Sequence, residues 1–128
     1  MDLKNSILVL SALAPAVHAD TKDDAAVIDL QGAGSATVII NTGAIEGAGL
    51  FVAKLVHGDK ADLSDAVDAV TDDLLGTLPA ALEANKTYAV GYRGDKRYVR
   101  VVLTKTSGTS IAAAAAVVKG HLSLSGAV

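Results

Sequence analysis

Residues 96–104, KRYVRVVLT, alternate in a way that constrains the whole chain. Arg97, Val99, Val101 and Leu103 share one parity, and Tyr98, Arg100, Val102 and Thr104 the other. A period of two places successive side chains on opposite faces of a strand, so this segment predicts a half-buried strand with Val99, Val101 and Leu103 facing the core. The same signature recurs. AGLFVAKLVHGD (48–59) sets Phe51, Ala53, Leu55 and His57 against Leu50, Val52, Lys54 and Val56, and the lysine assigns the Phe51 set to the core. SATVIIN (35–41) is β-branched and bounded by Gly34 and Gly43. AAVIDL (25–30) is a further apolar run, ended by a glycine-rich turn. Thr87–Tyr92 and the strand from Lys96 are joined by Arg93-Gly94-Asp95, which predicts a hairpin connection.

Two segments stay ambiguous. In 60–78, Leu63, Ala66, Val67, Val70 and Leu74 fall at helical spacing, with Asp62, Asp65, Asp68, Asp72 and Asp73 as a wet face. An extended excursion with turns at Gly58-Asp59 and Asp72-Asp73 fits the same residues. In 111–121, five consecutive alanines favour helix by propensity, while Ile111, Val117 and Val118 favour a buried strand. Six or seven short β segments without helix–strand alternation predict an all-β fold: one antiparallel β-sandwich or barrel, jelly-roll-like, over residues 25–128, preceded by an extended N-terminal arm, 1–24.

The chain has 128 residues, no cysteine and a formal net charge of −3. It is long enough for a core without disulfides, and cysteine nucleophiles and thiolate metal sites are excluded. An acidic balance argues against a general nucleic-acid partner. No membrane span is expected, because the apolar run after Ile7 is broken too early. The segment SILVLSALAPAVHAD (6–20) resembles a secretory signal ending at Ala19, but Asp2 offsets Lys4, and Pro15 and His18 crowd the cleavage end.

No catalytic constellation emerges. His18, His57 and His121 are scattered and read as isolated imidazoles; the aspartates of 62–73 lack calcium-loop spacing; QGAGSAT and GAIEGAGLF lack the remaining residues of nucleotide-binding loops. No enzyme activity, cofactor or metal is therefore expected. Arg93-Gly94-Asp95 reads as a turn, not an adhesion motif. Arg93, Lys96, Arg97 and Arg100 form a basic cluster in an acidic chain, either a solvated strand edge or a docking edge for an acidic partner.

VIDLQGAGSATVIINTGAI, LLGT, VGYRGDKRYVRVVLT and AAVVKGHLSLSGAV together resemble a family of small structural proteins encoded by tailed bacteriophages. The most specific part is GY-x-G-x-KRYVRV: Gly91, Tyr92, Gly94, Lys96, Arg97, Tyr98, Val99, Arg100 and Val101. The start, MDLKN followed by ALAP, is also similar, and implies that the signal-like stretch is retained as an arm. The chain departs from the family pattern at 61–73 and at its terminal GHLSLSGAV.

The resemblance implies a head decoration, or cement, protein on the outside of the capsid, assembled in the bacterial cytoplasm. The implied partners are the major capsid protein and further copies of this chain, a trimer being preferred. Ile7, Leu8, Val9 and Leu10 are the candidate arm contacts, and Arg93, Lys96, Arg97 and Arg100 the candidate docking edge. The alternatives are a head–tail connector or tail component, and an exported bacterial β-sandwich binding module.

Overall fold

In the computed structural model, residues 7–69 and 73–122 are described, with side chains through Gly120. They form nine strands: β1 (Leu8–His18), β2 (Ile28–Asp29), β3 (Ala33–Glu46), β4 (Leu50–Gly58), β5 (Val67–Asp68), β6 (Leu74–Leu75), β7 (Thr87–Tyr92), β8 (Tyr98–Ser107) and β9 (Ser110–Leu122). The five-stranded sheet runs β1-β9-β3-β7-β6 and the four-stranded sheet β2-β8-β4-β5. Every strand pairing is antiparallel. Setting aside the two-residue β6, the first strand pairs with the last, the second with the next to last, and so inward. That nested pairing is the jelly-roll sandwich, and no closed barrel forms among the described residues.

The faces read from the alternation are the ones that pack. Phe51, Ala53, Leu55 and His57 are all buried on β4, as are Val99, Val101 and Leu103 on β8. Val38 and Ile40 from β3, Val90 from β7 and Ile111 and Val117 from β9 complete the layer between the sheets. β9 resolves the alanine run as strand. It lies between β1 and β3, so Ala113, Ala115 and Ala116 pair on both sides and Ala112 and Ala114 on one, and Ala113 and Ala115 are buried while Ala112, Ala114 and Ala116 face outward. Tertiary pairing outweighs the high helix propensity of alanine, an advantage of well under about 1 kcal/mol per residue.

The segment 60–78 takes the extended alternative where it is described, and no α-helix occurs among the described residues. Its aspartates pin turns. The Asp65 carboxylate accepts from the Asp59 and Lys60 N–H groups at 3.0 and 3.3 Å, and Asp62 accepts from Ser64 N–H at 3.0 Å. Such local bonds compete with helix nucleation. Val70 and Asp72 lie outside the described residues.

Two further expectations change. Residues 93–97 are not a hairpin: β7 is bonded on both edges by β3 and β6, so the chain crosses to the other sheet, where β8 pairs with β2 and β4. Of the segment read as an arm, residues 8–18 lie in the sheet as β1, with Ala12 and Leu13 in the core. The sandwich thus includes residues upstream of the expected boundary at 25. β1 follows β9 through two irregularities, at Ser11/Leu13 and Leu13/Ala16. The second brackets Pro15, which has no N–H to give a ladder.

Candidate interaction surface

The 93–97 crossing is built around one tyrosine. Tyr92 ends β7 with its ring inward, and its hydroxyl lies 2.7 Å from Nδ1 of His57, which is 4% exposed. Lys96 N–H donates to the same hydroxyl at 3.2 Å. Nε2 faces Asp73 Oδ2 at 3.8 Å, which favours the tautomer with its proton on Nε2, so Nδ1 accepts the phenolic O–H. The two rings meet edge to face at 86°. Burial, with the Asp73 and Asp95 carboxylates nearby, pushes the Tyr92 phenol above its ordinary pKa. His57 is thus an acceptor fixed inside the sandwich, on the parity assigned to the core, and not the isolated imidazole that the scatter of the histidines suggested. The signal that could have found it is the spacing of Tyr92 and Gly94, discussed below.

Outside this pair, the crossing and the β2–β3 turn flank a cleft of about 550 Å³ whose lining includes Arg93, Lys96 and Arg97. Three of the four basic residues singled out by sequence therefore meet. Arg100 does not join them: from the outer face of β8 it donates to the carbonyls of Ala25 and Asp23 at 2.9 and 3.2 Å. Two of the cleft cations are matched within the chain. Lys96 pairs with Asp59 at 3.1 Å, and Arg97 grips both carboxylate oxygens of Asp29 at 2.9 Å while lying over the Tyr98 ring. Buried Lys119, unmarked by the sequence reading, donates to the Asp29 and Gln31 carbonyls at 3.0 and 3.4 Å and fixes the opposite wall.

The bidentate arginine holds the Asp29 carboxyl at about 2, well below the ordinary aspartate range. A carboxyl depressed in the folded state contributes stability above its unfolded pKa and loses it as pH falls through the folded value. Arg97→Ala is therefore expected to lower stability only modestly near pH 6, since both side chains are nearly half exposed and solvent screens the pair. The pH-dependent part of that cost should fade between pH 4 and 2. Urea unfolding of both proteins at pH 6, 4 and 2 checks this; a difference that stays constant with pH would reject the assigned ion pair.

The four candidate arm residues split by parity. Val9 is 56% exposed and points outward opposite Val118. Leu10, opposite Val117, packs against the core, and Ile7 and Leu8 are half-buried. The outward positions extend across the sheet in register. Val9, Val118, Thr37, Gly91 and Leu75 make one row over all five strands; Ser11, Ala116, Ile39 and Ala89 make the next; Ala114, Asn41 and Thr87 a third. None of these side chains is charged. The small alanines leave a groove of about 430 Å³ between Val9, Pro15 and Ile39.

The opposite outer face differs. There the chain covers part of its own four-stranded sheet: Leu63 and Val27 pack on Val56 and Val102, and Lys54 pairs with Asp68. Among the described residues no group of three or more His, Cys, Asp or Glu is placed to hold a metal, and no helix is long and apolar enough to cross a membrane.

A scan of protein families and a search of curated proteins each returned no match. Among solved structures, the chain is similar to one in the "Structure of infectious bursal disease virus Gx strain", at 12% identity and a TM-score of 0.39. The match covers 95% of this chain and 34% of the viral one, so the chain spans about a third of that neighbour's length.

Proposed function

We propose that the protein is a tailed-phage virion component, a decoration (cement) protein that binds the outside of the major capsid shell and stabilises it as a homo-oligomer. The observation that carries this reading is the uncharged outer face of the five-stranded sheet, set on a sandwich whose other outer face is partly covered and charged. Depletion of charge marks the centre of protein interfaces, and many copies of a modest contact add up on a symmetric lattice. The resemblance of the GY-x-G-x-KRYVRV segment to phage structural proteins gives the partner class. Jelly rolls also serve lectins and cupins, so the fold alone selects no function.

The exported-module alternative meets a packing objection. Cleavage after Ala19 would strip β1 from the sheet, take Ala12 and Leu13 out of the core and bare the edge of β9. The connector and tail alternatives differ in copy number. Quantitative mass spectrometry of purified particles should find the protein at a ratio near that of the shell protein; a trace ratio would move the assignment to a connector or tail role, and absence from particles would reject a virion role. For the strand contact, Val9→Asp is the clean probe because Leu10 belongs to the core. It should lower particle occupancy at least tenfold in a protein whose unfolding midpoint is unchanged; full occupancy would remove β1 from the contact.

A further inference from the structure

We propose that two copies of this chain pack face to face through the outer surfaces of their five-stranded sheets, around a two-fold axis near Ala116 and Ile39. The inference rests on the homo-oligomer part of the reading above and replaces the preferred trimer with a two-fold pair. It gives the uncharged face to the contact between copies and leaves the shell contact to other surfaces, so that Val9→Asp lowers particle occupancy through loss of the pair. Among the described residues, three of the five large exposed hydrophobics, Val9, Val17 and Leu75, lie on this sheet, at its two edges. Between them the described outward residues carry no charge, and no segment of the described chain lies over them, in contrast to the four-stranded sheet.

Size selects the occupant. Three long strands paired over about nine residues, with the six-residue β7 beside them, outline a face of roughly 500 Å² in projection at about 3.4 Å per residue and about 4.8 Å per strand. Relief adds to that, bringing it to the scale of the ~800 Å² per partner in a standard interface. A peptide filling only the groove would leave most of the face wet. A second copy covers it whole, since an isologous contact asks a surface only to complement itself. The geometry fits self-packing: Ile39 stands as a ridge beside the alanine groove, and exchange of ridge and groove about a two-fold axis closes both. Alanine at the contact also permits the sheet separation of about 10 Å found in sandwich cores.

The test is the solution mass of the purified full chain by sedimentation equilibrium, from about 1 to 100 µM. A dimer is expected. Ala116→Glu should weaken it at least tenfold, whereas Thr104→Glu, outward on the four-stranded sheet, should leave it unchanged. A monomer at 100 µM, a trimer, or a dimer indifferent to Ala116→Glu would each overturn the proposal. If Ala116→Glu does not fold, the cysteine-free chain offers a second route: Ala116→Cys should cross-link to a covalent dimer with a short bismaleimide far more efficiently than Thr104→Cys, and equal yields would overturn it. Because particles are absent from this assay, its failure leaves the copy-number test of the virion role standing, and the reverse.

Discussion

Phe51→Ala should lower the unfolding free energy by about 3–5 kcal/mol and the melting temperature by roughly 10–20 °C. Phe51 is the one phenylalanine in the chain and is 0% exposed. Around it the core consists of Ala, Val, Ile and Leu from both sheets, with Tyr92 the other buried aromatic. Small side chains cannot swing far into a vacancy, so the space left by a phenyl ring stays largely open and the cavity cost adds to the lost transfer energy. The backbone at the same residue also holds the loop before β7: the Phe51 carbonyl accepts from Leu82 N–H at 2.9 Å, and Leu82 is itself buried. A domain of this kind is stable by about 5–15 kcal/mol. The substitution therefore removes a large share of the total. Urea unfolding followed by circular dichroism measures it; a loss under about 1 kcal/mol would mean that the two sheets close over the vacancy and that the core is far more plastic than its packing indicates.

Phe51 was legible in the sequence because its strand alternates cleanly, as β8 does, and alternation reports which face meets the core regardless of the partner. What alternation does not report is the partner. The Arg93-Gly94-Asp95 link has the length and glycine of a hairpin, yet whether β7 turns back on itself depends on β3 and β6 occupying its edges, which are distant in sequence. β9 hides for a related reason: the local preference of its alanines is for helix, and the strand is imposed by β1 and β3 on either side. The N-terminal segment read as an arm because an isolated apolar run carries no sign of the strand that will accept it. Of the basic cluster, proximity in sequence foretold the meeting of Arg93, Lys96 and Arg97 in one cleft. Arg100 fell outside because it stands on the outer face of β8, whereas Arg97 precedes that strand, in the crossing.

Gly94→Ala is expected to cost about 2–4 kcal/mol, although alanine is ordinarily an easy replacement. The backbone at Gly94 is not left-handed, so the requirement is for space and not for conformation. An added Cβ would stand 2.6 Å from Cζ and 2.8 Å from Cε1 of Tyr92, and closer still to its hydroxyl oxygen. That ring end is held by His57 and by Lys96 N–H, so it cannot retreat without leaving a buried imidazole nitrogen without its donor. An orphaned buried acceptor costs about 1–3 kcal/mol, and overpacking adds a similar amount. Tyr92→Phe alone should cost about 1–3 kcal/mol for the same reason. In the Tyr92→Phe background the ring is released from both bonds and can yield, so Gly94→Ala should then cost at least about 1 kcal/mol less than in the wild type. Unfolding of the four proteins of this cycle measures the coupling. Additive costs would mean that Gly94 is needed for something other than room above Tyr92. Coupled costs would mean that the Tyr-x-Gly of the most recognisable motif in the chain exists to close the sandwich end, placing Arg93, Lys96 and Arg97 at the rim of the cleft as a consequence of packing.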